Sequence, residues 1–334
     1  MQLSTHSGIG GSLSQRKVSA FGLIDDELGR VKKLIDEQLA DCSQPVDRLV
    51  GCVNTRGGKM LRPGLVLLSG ASCGKITDKH IRIAAIIELI HNATLLHDDV
   101  IDEGQRRRGL PTINSLQGNE SAVLLGDFLL SKVFKMCAGL EAEIIGIIAA
   151  ATARTCEGEL RQIIQRNNWQ LSESEYIEII TEKSAAFFGS CCHLGGLLAG
   201  ANEEEIQLLD CYGVNTGIAF QITDDLLDIA GSESKTGKTL GSDVSKNKPT
   251  LAVIHLLRMI GEIEKDAVMK KLSAGGISKE AVMEMLRSYG SLEYTHKLAQ
   301  EFVRKAITAL GGLKKSDAKD ALIETARSVA DRVI

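Results

Sequence analysis

Two aspartate triplets with the same internal spacing constrain this chain more than any other feature. Asp98, Asp99 and Asp102 form the first triplet, and the same Asp-Asp-x-x-Asp pattern recurs at positions 224, 225 and 228. Each triplet lies in an apolar run with helical periodicity, and residues four apart on a helix project from nearly the same face. Because three carboxylates within one turn repel one another, two such turns are predicted to face a shared interior that holds cations.

The composition favours helices over sheet. Of the 334 residues, 44% are hydrophobic but only 4% are aromatic, and only four are proline. Apolar residues recur every three or four positions along most of the chain, and no alternating strand pattern is evident. This periodicity predicts helices at 20–42, 46–55, 62–73, 78–103, 113–139, 142–166, 173–200, 203–231, 249–260, 263–273, 279–290, 292–310 and 315–333. We predict an all-α protein, a single large helical bundle with a central cavity over residues 19–334, after a flexible tail at 1–18.

Several functional classes are disfavoured. The net charge is −4 and no basic run interleaves with aromatic residues, so a nucleic-acid partner is not expected. The eight cysteines include no Cys-x-x-Cys pair and are interpreted as reduced thiols. The most apolar stretch, 144–153, is too short to span a bilayer, and the N-terminal residues lack the apolar core of a signal peptide, so we expect a cytoplasmic protein. The sequence also lacks P-loop, dinucleotide-binding and serine-hydrolase motifs.

The surroundings of the triplets favour a metal site over a solvated acidic face. Leu95 and Leu96 lead into Asp98, and Ile222 leads into Asp224. Acids that emerge from apolar helices are better explained as the lining of a cavity. Carboxylate clusters suit Mg²⁺, which also binds substrate phosphates, whereas the central glycine and terminal glutamate of an EF-hand loop are missing. The triplets therefore predict two acidic walls that hold a diphosphate through metal ions.

Basic residues form a second constellation. Lys59 and Arg62 follow two glycines near a predicted helix start, where anions bind favourably, and Arg107 and Arg108 follow the first triplet. Arginine forks match phosphate oxygens. Any one of these residues alone would be ordinary surface charge, but together they predict a second, metal-free diphosphate site. His91 lies on the face of the first triplet, and binding is slightly favoured over a purely structural role.

A third group accompanies the second triplet. Its members are Lys183, Gln221, Lys238 and Lys248. Lys238 follows a glycine in a polar loop and is a candidate for a mobile clamp, since such loops often close over substrate. Lys235 and Lys246 have no such context and are interpreted as solvated surface.

In this order, the motifs resemble the trans-isoprenyl diphosphate synthase family from about Gly57 to Leu251. The corresponding family patterns are Gly-Gly-Lys-x-x-Arg-Pro at 57–63, the first aspartate-rich motif with Arg-Arg-Gly-x-Pro at 98–111, Gly-Glu-x-x-Gln at 158–162, Lys-Thr-Ala at 183–185, and Phe-Gln-x-x-Asp-Asp-x-x-Asp at 220–228 followed by Gly-Lys at 237–238. The main departure is Ser184, which stands where the family has threonine and keeps the hydroxyl.

The resemblance implies an all-helical fold, usually a homodimer, that joins isopentenyl diphosphate to an allylic diphosphate with Mg²⁺. Three metal ions are expected, two on Asp98 and Asp102 and one on Asp224, with Asp99, Asp225 and Asp228 in support. The allylic diphosphate would be bound by Arg107, Lys183 and Lys238, and isopentenyl diphosphate by Lys59, Arg62, His91 and Arg108. The Lys183 carbonyl, the Ser184 hydroxyl and the Gln221 amide would stabilise an allylic cation.

Product length is predicted from the residues one turn before the first triplet. Ala93 and Thr94 are both small, so a growing tail is not blocked there, and a product beyond C20 is favoured. Farnesyl or geranylgeranyl diphosphate is the expected primer, and release of so apolar a product suggests peripheral membrane contact. On the next predicted helix Phe134 is either a tunnel floor or plain core packing, and the two interpretations are equally good.

Four alternative functions can be compared with these motifs. A short-chain farnesyl or geranylgeranyl diphosphate synthase stays open, although the bacterial farnesyl type would carry two extra residues in the first aspartate motif. A terpene cyclase usually replaces the second triplet, and a squalene or phytoene synthase shows Asp-x-x-x-Asp motifs instead. An inactive regulatory subunit of a heteromeric synthase typically loses one triplet or the arginines, whereas this chain keeps them all.

Overall fold

A computed structural model describes residues 21–43, 46–47, 49–51, 59–107, 109–231 and 242–331 of the chain. The tail expected at 1–18 lies outside these residues. So do Gly57 and Gly58 of the first basic motif, Arg108 and Lys238. Within the described ranges, no helix combines the length and apolar character needed to cross a bilayer.

The described residues form helices joined mostly by short turns. In chain order the helices are α1 (Asp25–Ala40), α2 (Leu61–Cys73), α3 (Asp78–Ile101), α4 (Ile113–Gln117), α5 (Asn119–Cys137), α6 (Ala142–Ile164), α7 (Glu173–Ile180), α8 (Ala186–Leu198), α9 (Glu203–Ala230), α10 (Ser242–Ser245), α11 (Leu251–Met259), α12 (Glu262–Ser273), α13 (Lys279–Ser288), α14 (Ser291–Ala309) and α15 (Asp317–Ala330). A small antiparallel ribbon pairs β1 (Arg106–Arg107) with β2 (Leu110–Pro111).

The prediction of an all-α fold is confirmed, with several local differences, one of which is that the helix predicted at 173–200 is interrupted by a π turn at Thr181–Ala185. The helix predicted at 113–139 is divided into α4 and α5, because Gly118 has a φ of +84° that no right-handed helix contains. The β1–β2 ribbon is too short to show a strand pattern in the sequence. The four-residue helix α10 was missed because the 231–248 segment is polar and rich in glycine.

Helices α8 and α9 lie at the centre of the bundle. Helix α9 packs along both α8 and α14, while α8 also contacts α2 and α6. On the other side, α3 packs against α5 and α2. The core includes completely buried aromatic side chains from the two central helices, Phe188 and Tyr212. A smaller apolar cluster around Trp169, Leu256 and Leu286 joins the helices α11 to α13 to this core.

Both aspartate triplets lie at the C-terminal ends of long helices. Helix α3 buries apolar side chains through Leu96, and its last turn carries Asp98 and Asp99, with Asp102 directly after it. The second triplet occupies the last two turns of α9. The backbone dipole makes the C-terminal end of a helix negative, so acids there are disfavoured even without mutual repulsion. Compensating positive charge is therefore required at this end of the bundle.

A π-helical turn at Thr181–Ala185 joins α7 to α8. Such wide turns within a helix are rare and are frequent at functional sites. Helix α6 crosses this turn at Gly158, where an added Cβ would lie 2.2 Å from the backbone nitrogen of Lys183 and 2.6 Å from its Cα. Only glycine permits this approach of two backbones, so Gly158 fixes the position of Lys183.

We expect Gly158→Ala to lower the free energy of unfolding by about 1–3 kcal/mol, because the methyl group must displace the π turn. Gly146→Ala is the matched control on the same helix. Nothing lies within 4 Å of a Cβ added at Gly146, so this change should raise stability by up to about 1 kcal/mol. Urea unfolding of both variants measures the difference. Equal effects of the two substitutions would contradict the proposed contact.

Candidate active site

The first triplet contains three carboxylates in very different surroundings. Asp98 is half-buried, and among the described residues no ion pair or hydrogen bond reaches its carboxylate. Burial raises its pKa to about 6, against the opposing effect of the Lys183 charge, and the negative charges of Glu159 and Asp102 raise it further. Asp98 therefore carries a negative charge that burial disfavours and that has no direct ion-pair partner among the described residues, although the charges of Lys183 and Arg107 act on it at longer range.

Asp102 is balanced by three cations. Its carboxylate accepts hydrogen bonds from Lys248 Nζ at 2.9 and 3.0 Å and from Arg166 Nη2 at 3.2 Å, and Lys246 Nζ lies 3.6 Å away. Burial alone would raise the pKa of Asp102, but the charges of the lysines hold this pKa below its usual range. The interpretation of Lys246 as solvated surface is therefore wrong, because its ammonium group belongs to this cluster.

Asp99 points to the other side of the helix end. Its side chain is almost completely buried, and Arg107 donates to its Oδ1 from both Nε and Nη2 at 2.8 Å. The backbone carbonyl of Asp99 accepts from the amide of Asn114 at 3.1 Å, and the Gly104 N–H also donates to it at 2.8 Å. Asp99 thus fixes the turn after α3 and places Arg107.

The second triplet is embedded in a hydrogen-bonded network. Asp225 is buried and accepts from Tyr176 and from Gln221, each at 2.7 Å. Asp228 accepts from the backbone N–H of Asp243 at 3.0 Å. Burial raises the pKa of both Asp225 and Asp243, and the carboxylates near Asp243 raise its pKa further. This end of α9 therefore gathers several acids that share the nearby lysines.

Lys183 projects from the π turn into these acids. Its ammonium group forms an ion pair with Glu159 at 2.5 Å and donates to Gln162 at 2.8 Å, and both partners lie on α6. Burial alone would lower the pKa of Lys183, but the carboxylates of Glu159 and Asp98 raise this pKa above its usual range. The next residue, Ser184, donates to Gln221 Oε1 at 2.7 Å. The three predicted catalytic residues are therefore brought together.

The separate basic constellation is also partly assembled. Arg62 of α2 and His91 of α3 are hydrogen-bonded, with 3.0 Å between Nη1 and Nε2. The guanidinium lies over the ring of Phe188, 4.9 Å from its centroid. Lys59 is exposed, and the following Met60 has a φ of +50°, a left-handed conformation that methionine rarely adopts. Strain of this kind clusters at functional sites.

The residues predicted to control product length differ in their placement. Ala93 is completely buried, and Thr94 is half-buried with its hydroxyl bonded to the carbonyl of His91 at 2.8 Å. Phe134 is 74% exposed. The interpretation of Phe134 as plain core packing is therefore wrong within the described part of the chain. Its use as a tunnel floor stays a prediction, and it would need a second surface to cover the ring.

Sequence reasoning missed Arg166, Asp243 and Tyr176 as parts of the site. Arg166 lies just after the end of α6 and belongs to no motif that the sequence reveals. Asp243 and Lys248 are five residues apart, and the hydrogen bond from Lys248 N to Asp243 O at 2.8 Å shows that they share one turn. Tyr176 gave a weak signal, since it lies seven residues before Lys183 and therefore two helical turns away.

The donor set suits a hard divalent cation. Mg²⁺ usually takes one or two protein carboxylates and completes its shell with water and substrate phosphates. Among the described residues, no three histidine, cysteine or acidic side chains form a ready-made metal cage. The half-buried carboxylate of Asp98, which has no direct ion-pair partner among the described residues, nevertheless offers what such an ion needs, an oxygen ligand whose negative charge is disfavoured by burial.

Comparisons with known proteins agree with this arrangement. Residues 43–289 match the polyprenyl synthetase family. The octaprenyl diphosphate synthase of Escherichia coli K12 is 35% identical over 314 residues, which cover 93% of this chain and 97% of that protein. The short chain isoprenyl diphosphate synthase of Methanothermobacter thermautotrophicus is 35% identical over 285 residues, covering 83% and 87%.

A solved structure gives the same result. The crystal structure of a polyprenyl synthase from Caulobacter crescentus, complexed with calcium and isoprenyl diphosphate, has a TM-score of 0.89 at 30% identity and covers 96% of this chain and 100% of that one. The all-α fold of this chain thus has a solved counterpart. The chain belongs to the polyprenyl synthetase family.

We expect Asp98→Asn and Asp102→Asn to change stability in opposite directions without metal at pH 8. The folded-state pKa of Asp98, about 6, lies above its ordinary value of 3.8, so its contribution to stability falls as the pH rises between these values. Asp98→Asn should therefore stabilise by about 1 kcal/mol at pH 8 and lose this gain near pH 4. Asp102→Asn should destabilise, because three cations lose their partner.

Urea unfolding in EDTA at both pH values measures these changes. The two variants control for each other, since the same substitution is made within one turn of the same helix. Destabilisation by Asp98→Asn at pH 8 would contradict the prediction that the buried negative charge of Asp98 lowers stability at this pH.

Proposed function

We propose that this chain condenses isopentenyl diphosphate with an allylic diphosphate, head to tail, into a trans-polyprenyl diphosphate beyond C20. The observation that carries the proposal is the pair of acidic helix ends surrounded by Lys183, Lys248, Lys246 and Arg166, with the Arg62–His91 pair as a separate cationic site. A diphosphate bridged to carboxylates by cations, and a second one bound by cations alone, fit these two places.

Asp98, Asp102 and Asp224 are the proposed Mg²⁺ ligands, with three ions expected when substrate is bound. When bound, Mg²⁺ neutralises the diphosphate and makes it a better leaving group. Asp99 and Arg107 hold the turn behind the first ligands, and Asp225 and Asp228 do the same for the second helix end. The calcium ion named for the Caulobacter structure supports a site for divalent cations in this family.

The cations of the chain would bind the two substrates separately. For the allylic diphosphate we propose Arg107, Lys183, Lys238 and Lys248, joined by the newly located Lys246 and Arg166. Isopentenyl diphosphate is assigned to Lys59, Arg62, His91 and Arg108. Arg108 and Lys238 lie outside the described residues, so their roles rest on the motif.

The reaction then needs little acid–base chemistry from side chains. The allylic C–O bond breaks, and its electron pair leaves with the diphosphate. The electron-rich oxygens of Lys183 C=O, Ser184 and Gln221 stabilise the allylic cation. The double bond of isopentenyl diphosphate forms the new C–C bond, and the proton that is lost passes to the departed diphosphate. Water must be excluded because it would trap the cation.

A homodimer is part of the proposal. Helices α5 and α6 expose large apolar side chains, with Leu124 67%, Phe134 74%, Leu160 60% and Ile164 75% accessible. Exposed apolar side chains grouped on adjacent elements mark protein–protein or membrane contacts. A second copy packed against these two consecutive helices would also cover Phe134. We further propose a cytoplasmic enzyme that acts without nucleic acid and touches membranes only when its product is released.

The direct test is product analysis with the purified chain alone. Farnesyl diphosphate and labelled isopentenyl diphosphate should give a labelled product beyond C20 with Mg²⁺ and none with excess EDTA. A product of C20 or shorter would favour the short-chain alternative, which the Methanothermobacter relative keeps open. A chain that turns over only with a partner would support the regulatory-subunit alternative.

We expect Asp224→Ala to lower turnover by at least about 100-fold with little loss of folding, because an interaction needed in the transition state is removed. Asp266→Ala, which changes an exposed aspartate on α12, is the control and should keep full activity. Initial rates of label incorporation at saturating substrate measure both. Unimpaired turnover by Asp224→Ala would rule out the assigned metal ligand.

We expect Ala93→Phe to shorten the product, because the ring would fill the buried space one turn below the first triplet. Ala306→Phe is the control, since Ala306 is equally buried but lies on α14. Both variants are overpacked and should be destabilised by about 1–3 kcal/mol. Chromatography of the dephosphorylated products should show the shift for Ala93→Phe alone, and an unchanged length would remove Ala93 from the tunnel.

A further inference from the structure

A chain of four hydrogen-bonded side chains crosses the interior beside the second triplet. Tyr176 donates to Asp225 Oδ2, Gln221 Nε2 donates to Asp225 Oδ1, and Ser184 donates to Gln221 Oε1, each at 2.7 Å. The members come from three different elements, namely α7, the π turn and α9. Tyr176 is 2% exposed, so its hydroxyl has no access to substrate.

This chain has one consistent direction. Both oxygens of Asp225 are occupied as acceptors, so Gln221 must present its NH₂ group to Asp225. The reverse orientation would place two oxygens against each other. The carbonyl oxygen of Gln221 is thereby aimed at Ser184, whose hydroxyl donates its only proton to it. The lone pairs of Ser184 Oγ remain on the other side.

That direction matters for the cation-stabilising step. A hydroxyl whose proton pointed at the reacting carbon would oppose positive charge there, whereas one that presents lone pairs stabilises it. If Asp225 lost the bond from Tyr176, its carboxylate could rotate, and the Gln221 amide and the Ser184 hydroxyl would lose their fixed orientation. Preorganised dipoles stabilise a transition state because no reorganisation is needed when charge develops.

We propose that Tyr176 is a positioning residue for catalysis, which acts through Asp225 and Gln221 to keep the lone pairs of Ser184 directed at the allylic cation. The inference rests on the proposed function, since it assigns a role within the same ionisation step. It predicts a specific kinetic effect for a residue that never touches substrate.

Tyr176→Phe is the test, because it removes the hydroxyl and keeps the ring. Tyr212→Phe is the matched control. Tyr212 is also completely buried, and its hydroxyl donates to the backbone carbonyl of Leu322 at 2.7 Å, away from the site. Both variants should lose stability to a similar degree. Only Tyr176→Phe should lower kcat, by about tenfold, with KM for both substrates within twofold of the wild type.

A double-mutant cycle with Ser184→Ala separates positioning from simple destabilisation. If Tyr176 acts through Ser184, the tenfold loss should shrink to twofold or less once the Ser184 hydroxyl is absent. A full tenfold loss in that background, an unchanged kcat in Tyr176→Phe, or an equal kcat loss in Tyr212→Phe would overturn the inference. Failure of the wild type to form any product would refute the proposed function instead.

Discussion

The concentration of negative charge at the C-terminal ends of α3 and α9 determines how the rest of this site is built. Both ends are already negative from the backbone dipole, and six aspartates are added to them. Lys183, Lys246, Lys248 and Arg166 are brought to these ends by three different segments of the chain. Their convergence is therefore a requirement of folding as much as of substrate binding.

The two triplets share a sequence pattern but not an electrostatic state. Asp102 is neutralised by its cations and Asp99 forms an ion pair with Arg107, whereas Asp98 has no direct ion-pair partner among the described residues and its charge is disfavoured by burial. On α9, Asp225 is committed to Tyr176 and Gln221. In each triplet one member thus builds the structure that holds another in place. The middle aspartate of each triplet therefore has a structural role, in the bonds to Arg107 for Asp99 and to Tyr176 and Gln221 for Asp225.

The helical fold and the motif residues could be predicted from sequence because both depend on local patterns. Apolar periodicity predicted the long helices, but not the two places where they are interrupted, Gly118 with its positive φ and the π turn at Thr181–Ala185. The missed residues act through contacts between distant segments. Arg166 and Lys246 look like surface charges in sequence and reach Asp102 only because the end of α6 meets the 246–248 turn, where Asn167 N–H bonds to Asn247 O at 2.9 Å. The interpretation of Phe134 as core packing was wrong for a different reason. Periodicity shows that apolar residues share one face of a helix, but it cannot show whether that face is buried or exposed.

The stacking of Arg62 on Phe188 also has a consequence for the hydration of the substrate site. An aromatic ring over one face of the guanidinium, and His91 at its edge, leave fewer positions at which water can solvate this cation. Part of the cost of removing water from this cation is thus met during folding, which would favour binding of an anion such as the diphosphate proposed for this site.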